Sequence, residues 1–257
     1  MSSQGDVKEK LMALLRELHL PTFRECFEEL AQRAVQETAS YEQYLLELAE
    51  RECQARRAKR IERLLHDSRL PLEKDLASFD MGRLPAKVAR QVRTLLDGSF
   101  VDRRENLLMF GKTGTGKTHL LSAIAQELIR NGGRTVIAWK CALLVQELLV
   151  AKRDLKLSRV LKRFSKYEVL LIDDIGYVQQ NREEMEVLFT LLAERYERGT
   201  VMLTSNLPFS KWEAIFKDPM TTAAAIDRLV HHSVILELNI PSYRLEEAKR
   251  TKPPEAA

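Results

Sequence analysis

The stretch Gly111-Lys112-Thr113-Gly114-Thr115-Gly116-Lys117-Thr118 decides the fold of this 257-residue chain. It matches the pattern G-x-x-x-x-G-K-[ST], follows the apolar run 106–110 and precedes an amphipathic helical pattern. This order of strand, loop and helix is typical of a phosphate-binding loop rather than of a Gly/Thr-rich turn that matches by chance. The three glycines carry no Cβ and adopt positive φ readily, so successive backbone N–H groups can close on phosphate oxygens.

The polar side chains of the loop predict how a nucleotide is held. A helix that starts near Lys117 adds its positive dipole end, and Lys117 places an ammonium against the β- and γ-phosphates. The Thr118 hydroxyl is a ligand for Mg²⁺. We therefore predict ATP and Mg²⁺ as cofactors. The predicted nucleotide contacts are Gly111, Lys112, Thr113, Gly114, Thr115, Gly116, Lys117, Thr118 and His119.

The pattern from Asn106 onward predicts a parallel α/β sheet. Strand-like runs begin at 106, 134, 169, 200 and 234, and helical patterns lie between them. The run 169–172 is fully apolar, as expected for a central parallel strand that is buried on both faces. Such alternation indicates parallel strands joined by right-handed crossovers.

Polar residues directly follow two of these strands. Asp173 and Asp174 end the third strand, and Asn206 follows the fourth. Ligands of parallel α/β sheets bind beyond the carboxyl ends of the strands, where the phosphate-binding loop also lies. We predict that Asp173 holds the Mg²⁺ shell, that Asp174 orients or polarises the attacking water, and that Asn206 positions that water or the γ-phosphate. The alternative for Asp174 and Asn206 is a structural role in initiating a turn.

The last predicted helix contains Arg228, which precedes the final strand. An arginine supplied to a neighbouring subunit's γ-phosphate neutralises charge in the transition state. We predict this role for Arg228; an ion pair with Asp227 or with an internal acid is the alternative. Arg195 and Arg198 are weaker candidates for the same role.

Composition argues against several classes of protein. Hydrophobic residues make up 45% of the chain, which supports a buried core, and the apolar runs are far shorter than a membrane span. The N-terminus lacks a signal-peptide pattern, so a cytoplasmic protein without a membrane partner is expected. Cys26, Cys53 and Cys141 are isolated, which favours reduced, packed thiols over disulfides or zinc. His231 and His232 lack a third ligand at a suitable spacing, which disfavours a metal site there.

Two basic runs distribute the net charge of +4 unevenly. Either run alone is as consistent with a solvated helix face as with a binding site. Together, in a chain with a phosphate-binding loop, they favour nucleic acid as a partner. The predicted DNA contacts are Arg56, Arg57 and Arg60 in the first run and Lys152, Arg153, Lys156 and Arg159 in the second.

With these residues assembled, the chain resembles the IstB-like ATPases, helper proteins encoded beside a transposase in one class of bacterial insertion sequences. It is more distantly similar to the DnaC-type helicase loaders. The resemblance covers nearly the whole chain. It rests on GKTGTGKTHL at 111–120, LLIDDIGY at 170–177, RYE at 195–197, TSNLPFSKWEAIF at 204–216, AAIDRLVHHSVILEL at 224–238 and PSYR at 241–244.

The resemblance implies a bacterial AAA+ ATPase whose P-loop parallel sheet has flanking helices. Such a protein forms a homo-oligomer on double-stranded DNA with ATP at the subunit interfaces, deforms the DNA, and directs a cognate transposase that stimulates hydrolysis in turn. In this family pattern Lys117 and Thr118 match the Walker A residues, Asp173 and Asp174 the Walker B pair, Asn206 the first sensor and Arg228 the trans-acting arginine.

Two departures from the general AAA+ pattern affect the expected activity. Asp174 stands where many relatives have Glu, and its shorter side chain favours low basal turnover. Only 19 residues follow Leu238, too few for the usual helical lid, so we expect a truncated lid. Arg244 is the candidate that substitutes for the lid's sensor arginine.

The predicted segments are a small all-helical N-terminal domain over 1–66, a connector over 67–105, an AAA+ ATPase domain over 106–240 and a tail over 241–257. Leu11, Leu14, Leu15 and Leu18 follow helical spacing in the first segment. Partner or DNA contact there is one interpretation, and a face that only packs on itself is the other. Phe79, in the connector, is a candidate contact for the adenine ring, with a core position as the alternative.

Two other functions compete with the transposition helper. A helicase-loading adaptor would bind single-stranded DNA and a replicative helicase ring. A small-molecule kinase would transfer phosphate to a soluble acceptor, but it gives the basic runs and Arg228 no purpose.

Overall fold

The computed structural model describes residues 3–176, 182–213 and 219–246. The chain divides into two compact units, residues 1–63 and residues 64–257. Residues 247–257 of the predicted tail lie outside the described part. No helix in the described ranges is long and apolar enough to cross a membrane.

Three helices build the first unit: α1 (Ser3–Glu17), α2 (Pro21–Gln36) and α3 (Tyr41–Asp67), the last of which continues into the second unit. Ser40 and Gln43 each accept a hydrogen bond from the other's backbone N–H, a capping arrangement that starts α3. Cys26, Leu30 and Leu48 form the buried core. Of the four leucines that follow helical spacing in and just after α1, only Leu15 is buried, while Leu11, Leu14 and Leu18 are exposed.

The second unit contains the sheet. Its elements are α4 (Ala86–Leu95), α5 (Ser99–Asp102), β1 (Asn106–Gly111), α6 (Lys117–Gly132), β2 (Val136–Lys140), α7 (Cys141–Arg153), α8 (Leu157–Phe164), β3 (Val169–Ile175), α9 (Arg182–Arg195), β4 (Thr200–Ser205), α10 (Pro219–Val230) and β5 (Ser233–Leu238). The strand order is β2-β3-β4-β1-β5, and the strands of every neighbouring pair are parallel. The prediction of a parallel α/β sheet is therefore confirmed.

Helices cover both faces of the sheet because its central strands are apolar on both sides. Alternate residues of the strands, such as Leu108, Leu170 and Leu203, share one core cluster with α7, α9 and α10. Their strand neighbours, such as Leu107 and Leu171, are also buried and point to the opposite face. Helix α6 contacts β1, β3 and β4, but none of its residues belongs to the core cluster that includes Leu108. It therefore covers the opposite face of the sheet.

The amino edge of the sheet, where the strands begin, is tied together by side chains that donate to the backbone. Arg195 is 3% exposed at the end of α9. Its guanidinium donates to the carbonyl oxygens of Phe164, Tyr167, Glu168 and Thr200. Burial lowers the pKa of Arg195 to about 10. The candidacy of Arg195 as a trans-acting arginine is therefore wrong, because the side chain is committed to the core of its own chain.

Asn106 performs a similar function at the start of β1. Its side-chain amide donates to the Leu229 carbonyl (3.0 Å), and its amide oxygen accepts from the Val201 N–H (2.9 Å). These bonds join β1 to β4 and to the end of α10. The three cysteines agree with the sequence prediction in part: none forms a disulfide, and Cys26 and Cys141 are buried, but Cys53 is exposed and not packed.

Candidate functional site

The phosphate-binding loop connects β1 to α6 at the carboxyl edge of the sheet. Gly114 and Gly116 adopt φ values of 83° and 89°, and Gly116 caps the start of α6. A Cβ on Gly114 would lie 2.1 Å from the Ser242 hydroxyl, so only glycine fits there. The Tyr243 N–H also donates to the Gly114 carbonyl (2.9 Å). The loop is thus held from outside by the segment that follows β5.

Lys117 is a buried cation at the first position of α6, only 6% exposed. Its ammonium donates to the carbonyl oxygens of Gly111 (2.8 Å) and Lys112 (2.9 Å). Burial lowers the pKa of Lys117, against the opposing charges of Asp174 and Asp173. An anionic ligand at this position would compensate the cost of the buried charge.

Asp173, Thr118 and Thr204 form a hydrogen-bonded cluster at the ends of β3, β4 and the loop. The hydroxyls of Thr118 (2.8 Å) and Thr204 (2.6 Å) both donate to Asp173 Oδ1. A carboxylate beside a hydroxyl at the end of the phosphate-binding loop is the hard oxygen donor set that Mg²⁺ prefers, and such an ion keeps several waters and binds substrate phosphates. Thr118 and Asp173 therefore fit the predicted magnesium site.

Asp174 sits at an irregularity in the β3–β4 pairing, where the register shifts between Ile172 and Ile175. Its φ is +62°, an unusual backbone conformation that turns its carboxyl out of the sheet and into the cavity described below. The Asp174 N–H donates to the Thr204 hydroxyl (2.8 Å), which holds this backbone in place. Partial burial, together with the charge of Asp173, raises the pKa of Asp174.

A cavity of about 360 Å³ opens over the loop and Asp174. The lining brings together the loop residues 113–119, Asp174 and Asn206, whereas Gly111, Lys112 and Asp173 are not part of it. Phe79 also lines the cavity and forms an edge-on contact with the His119 ring, with the ring centroids 5.2 Å apart. Arg83, Tyr243 and Arg244 complete the wall.

Arg228 is not part of this lining. Its guanidinium donates to the Ala224 carbonyl (3.0 Å) and lies over the Phe189 ring (4.9 Å). The structure therefore does not bring Arg228 to the nucleotide cavity of its own chain. It stays a prediction for a neighbouring subunit.

The predicted DNA contacts lie on two helical regions. In the first unit, Arg56, Arg57 and Arg60 are exposed on α3, and Arg56 is bonded to Glu52 and to the His19 carbonyl. In the second unit, Lys152 pairs with Glu186 and Lys156 with Asp154, while Arg153 and Arg159 are exposed.

Sequence reasoning assigned no role to Thr204 or Arg83. Thr204 holds Asp173 and the Asp174 backbone together, and its place at the end of β4, two residues before Asn206, was the available signal. Arg83 donates to the Pro241 carbonyl (3.2 Å) and to Glu246 (2.7 Å), residues far along the chain, so no local pattern indicates it.

The fold and the cavity define a nucleotide-binding protein of the P-loop class. Residues 13–251 match the family of IstB-like ATP binding proteins, and the chain belongs to that family. It is 40% identical over 244 residues to an insertion sequence ATP-binding protein of Sinorhizobium fredii, covering 95% of this chain and 82% of the relative. It is also 37% identical to the ATP-binding protein of insertion sequence IS5376 from Geobacillus stearothermophilus, covering 95% and 96% of the two chains.

Solved structures support the fold alone. The DnaC helicase loader superposes with a TM-score of 0.56 at 16% identity, covering 66% of this chain and 97% of the loader. DnaA from Aquifex aeolicus, bound to AMPPCP, superposes with a TM-score of 0.54 at 18% identity, covering 74% and 58%. The solved structures confirm the predicted AAA+ fold. The family match confirms the membership of the IstB-like proteins, and the chain is an ATPase of that family with ATP and Mg²⁺ as cofactors.

Proposed function

We propose that this ATPase assembles on double-stranded DNA when ATP is bound, remodels the DNA, and directs and stimulates a partner transposase at the target site. The observation that carries the proposal is the family: the chain matches IstB-like proteins over 13–251, and its relatives are ATP-binding proteins of insertion sequences. Insertion sequences are mobile DNA, so DNA and the enzyme that moves it are the natural partners.

A basic helix face supports DNA as a partner. Helix α8 is amphipathic: Leu157, Val160 and Leu161 pack on the sheet core, while Arg159, Lys162 and Arg163 are exposed. Arg163 pairs with Glu147. The exposed cations suit a contact with backbone phosphates, which attracts DNA of any sequence and weakens steeply as salt rises.

Assembly through ATP is supported by the position of Arg228. The cavity holds one buried cation, Lys117, at its floor, whereas Arg228 lies outside it and is braced by Phe189 and the Ala224 carbonyl. A braced arginine loses less conformational freedom when it meets a phosphate on a second copy. We assign Arg228 to the γ-phosphate held by a neighbour, so that ATP joins the two subunits.

Hydrolysis would use the carboxyl edge of the same chain. In this assignment Asp173 and Thr118 hold Mg²⁺, Asp174 orients the attacking water, and Asn206 positions that water or the γ-phosphate. An ion held there would neutralise charge on the phosphates. Asp174 reaches one methylene less far than a glutamate, so basal turnover is expected to be low until DNA and the transposase are present.

The experiment measures binding of a labelled duplex by fluorescence anisotropy, with and without ATP, over a range of salt concentrations. We expect tight binding only with ATP, an affinity that falls steeply with salt, and filaments or rings in electron micrographs. Arg228→Ala is expected to bind ATP normally but to assemble poorly. Binding that depends on neither ATP nor salt would overturn the proposal.

A charge-reversal pair tests the basic face. Arg159→Glu with Lys162→Glu is expected to weaken duplex binding and to reduce the salt dependence by about one counterion for each lost phosphate contact. Arg90→Glu with Arg93→Glu on α4 is the matched control, since those arginines are exposed in the same unit. Preference for single-stranded DNA and binding of a helicase ring would favour the helicase-loading alternative instead.

A further inference from the structure

A cluster of three possible metal-ligating side chains lies at the amino edge of the sheet, on the opposite side from the nucleotide cavity. Glu197 precedes β4, and His231 and His232 precede β5. Each of the three offers one ligand atom, and these atoms lie within 4.8 Å of one another. Sequence spacing disfavoured a metal site at the two histidines because a third ligand was missing. Glu197, 34 residues earlier in the chain, supplies it, so that reason does not hold.

Backbone contacts fix the position of all three residues. Glu197 has φ +57°, and its carbonyl accepts a hydrogen bond from Arg104 (2.6 Å). The His231 N–H donates to the Asp227 carbonyl (2.9 Å), which ends α10. The His232 carbonyl accepts from the N–H of Asn106 (2.7 Å). The main chain is therefore preorganised, and the side chains only need to rotate to meet an ion.

No hydrogen bond closes the pair formed by Glu197 and His232. Glu197 Oε1 and His232 Nε2 lie 3.9 Å apart, too far for a hydrogen bond. Two ligands of one tetrahedral zinc ion lie about 3.3 Å apart, given metal–ligand distances of about 2.0–2.1 Å. A small rotation of these exposed side chains closes that difference.

Tyr196 orients the remaining imidazole. Its hydroxyl lies 3.0 Å from His231 Nδ1, so this nitrogen has a partner and Nε2 is left for a metal. A metal-ligating histidine commonly has its second ring nitrogen held by a polar group, which fixes the ring orientation. Tyr196 is adjacent to Glu197 in sequence, so one turn supplies both the carboxylate ligand and the group that orients the imidazole.

We propose that Glu197, His231 and His232 bind one divalent transition-metal ion of the zinc type, with water as the remaining ligand. Two imidazoles and one carboxylate suit zinc and its neighbours, whereas magnesium favours oxygen ligands, so this site differs in chemistry from the one at Asp173. The ion would join the start of β4 to the end of α10. We assign it a structural role, independent of the function proposed for the nucleotide cavity.

The test is a titration of chelator-treated, nucleotide-free protein with zinc chloride in an isothermal calorimeter. We expect one ion per chain and an increase in the melting temperature when zinc is added. His232→Ala and Glu197→Gln should each weaken binding by at least about 10-fold and abolish the melting shift. Tyr196→Phe should weaken binding by less, because it leaves all three ligands in place.

Two controls separate this site from other zinc ligands on the surface. His66→Ala removes a histidine that is also exposed, and Cys53→Ser removes the exposed thiol. Both variants should bind zinc as the parent does. All three proposed ligands are exposed, so their variants should fold and melt as the parent does without zinc. Equal zinc affinity in the parent and in His232→Ala, or loss of binding in Cys53→Ser alone, would overturn the proposal.

Discussion

The buried charges at the two edges of the sheet have different surroundings. At the amino edge, the Arg195 guanidinium donates to four carbonyl oxygens of its own chain, although its Nε has no partner among the described residues, and it links α8, α9, β3 and β4. At the carboxyl edge, Lys117 and Asp174 line a cavity that a ligand can enter, and the pKa of each is shifted against its charged form, as burial also shifts that of Arg195. The comparison teaches that one edge stabilises the fold, whereas the other gives up stability to hold a ligand.

Lys117→Ala should have the largest effect on activity and little effect on the fold. Loss of the ammonium that faces the phosphates is expected to reduce ATP hydrolysis by at least about 100-fold, the scale seen when one such electrostatic contact is removed. Phosphate release and thermal unfolding are the measurements. Lys87→Ala, on the exposed side of α4, is the control. Normal ATP hydrolysis by Lys117→Ala would contradict the role of Lys117 in holding a ligand at the carboxyl edge.

Arg195→Ala should instead have a large effect on stability and little effect on ATP binding. It leaves four carbonyl oxygens, two of them in buried contacts, without this donor, and it is expected to lower the free energy of unfolding by about 3 kcal/mol. Urea denaturation measures this change, and the remaining folded protein should still bind ATP. Arg198→Ala removes an exposed ion pair with Glu194 and should cost less than about 1 kcal/mol. Equal costs for the two variants would contradict the role given to Arg195.

Gly114→Ala should have an intermediate effect, confined to the carboxyl edge. The added Cβ meets Ser242 and must adopt φ near 83°, which costs on the order of 1–3 kcal/mol and should weaken ATP binding by about 10-fold or more. Adding Ser242→Gly should restore part of the affinity, because it removes the clash but not the backbone strain. Gly82→Ala, at a glycine without positive φ, is the matched control.

Asp174→Asn should give the smallest change in stability, and it sharpens the comparison because this variant is expected to be more stable than the parent, not less. The folded protein raises the pKa of Asp174, so the folded state holds its proton to a higher pH than the unfolded chain does. The ionised carboxylate therefore destabilises the fold at neutral pH, and this cost disappears as the pH falls below the unfolded value. Asp174→Asn should be more stable than the parent at neutral pH, by a margin that shrinks in acid. It should also hydrolyse ATP poorly.

Urea unfolding at several pH values measures that margin. Asp154→Asn is a suitable control, since Asp154 is exposed on the α7–α8 connection and pairs only with Lys156 among its described ion pairs. A parent protein that is more stable than Asp174→Asn at neutral pH would show that the carboxyl edge carries no such cost.

The sequence predicted the carboxyl edge well because its parts are local. The residues from Gly111 to Thr118 are consecutive, and Asp173 and Asn206 follow apolar runs that can only be strands of one parallel sheet. A fixed topology then places their ends together. This is why loop residues 113–119, Asp174 and Asn206 line one cavity, which Phe79 from the connector also lines.

The amino edge could not be predicted in the same way. In the sequence, Arg195 looks like an ordinary arginine at the end of a helix. Only the fold shows that its guanidinium is surrounded by backbone carbonyl oxygens. Glu197 meets His231 and His232 because two separate connections reach the same place in space. The leucines of α1 show a related limit: their spacing indicates a helix correctly, but spacing does not determine whether another element covers them.

The contact between Tyr243 and Gly114 has a practical consequence for protein engineering. Residues 239–246, the described part of the chain after β5, form one wall of the nucleotide cavity although they contribute no strand to the sheet. A truncation after Leu238 would retain the five described strands, yet it would lack that wall. Poor nucleotide retention in such a shortened protein would reflect a missing side of the binding site and not a failure of the catalytic carboxylates.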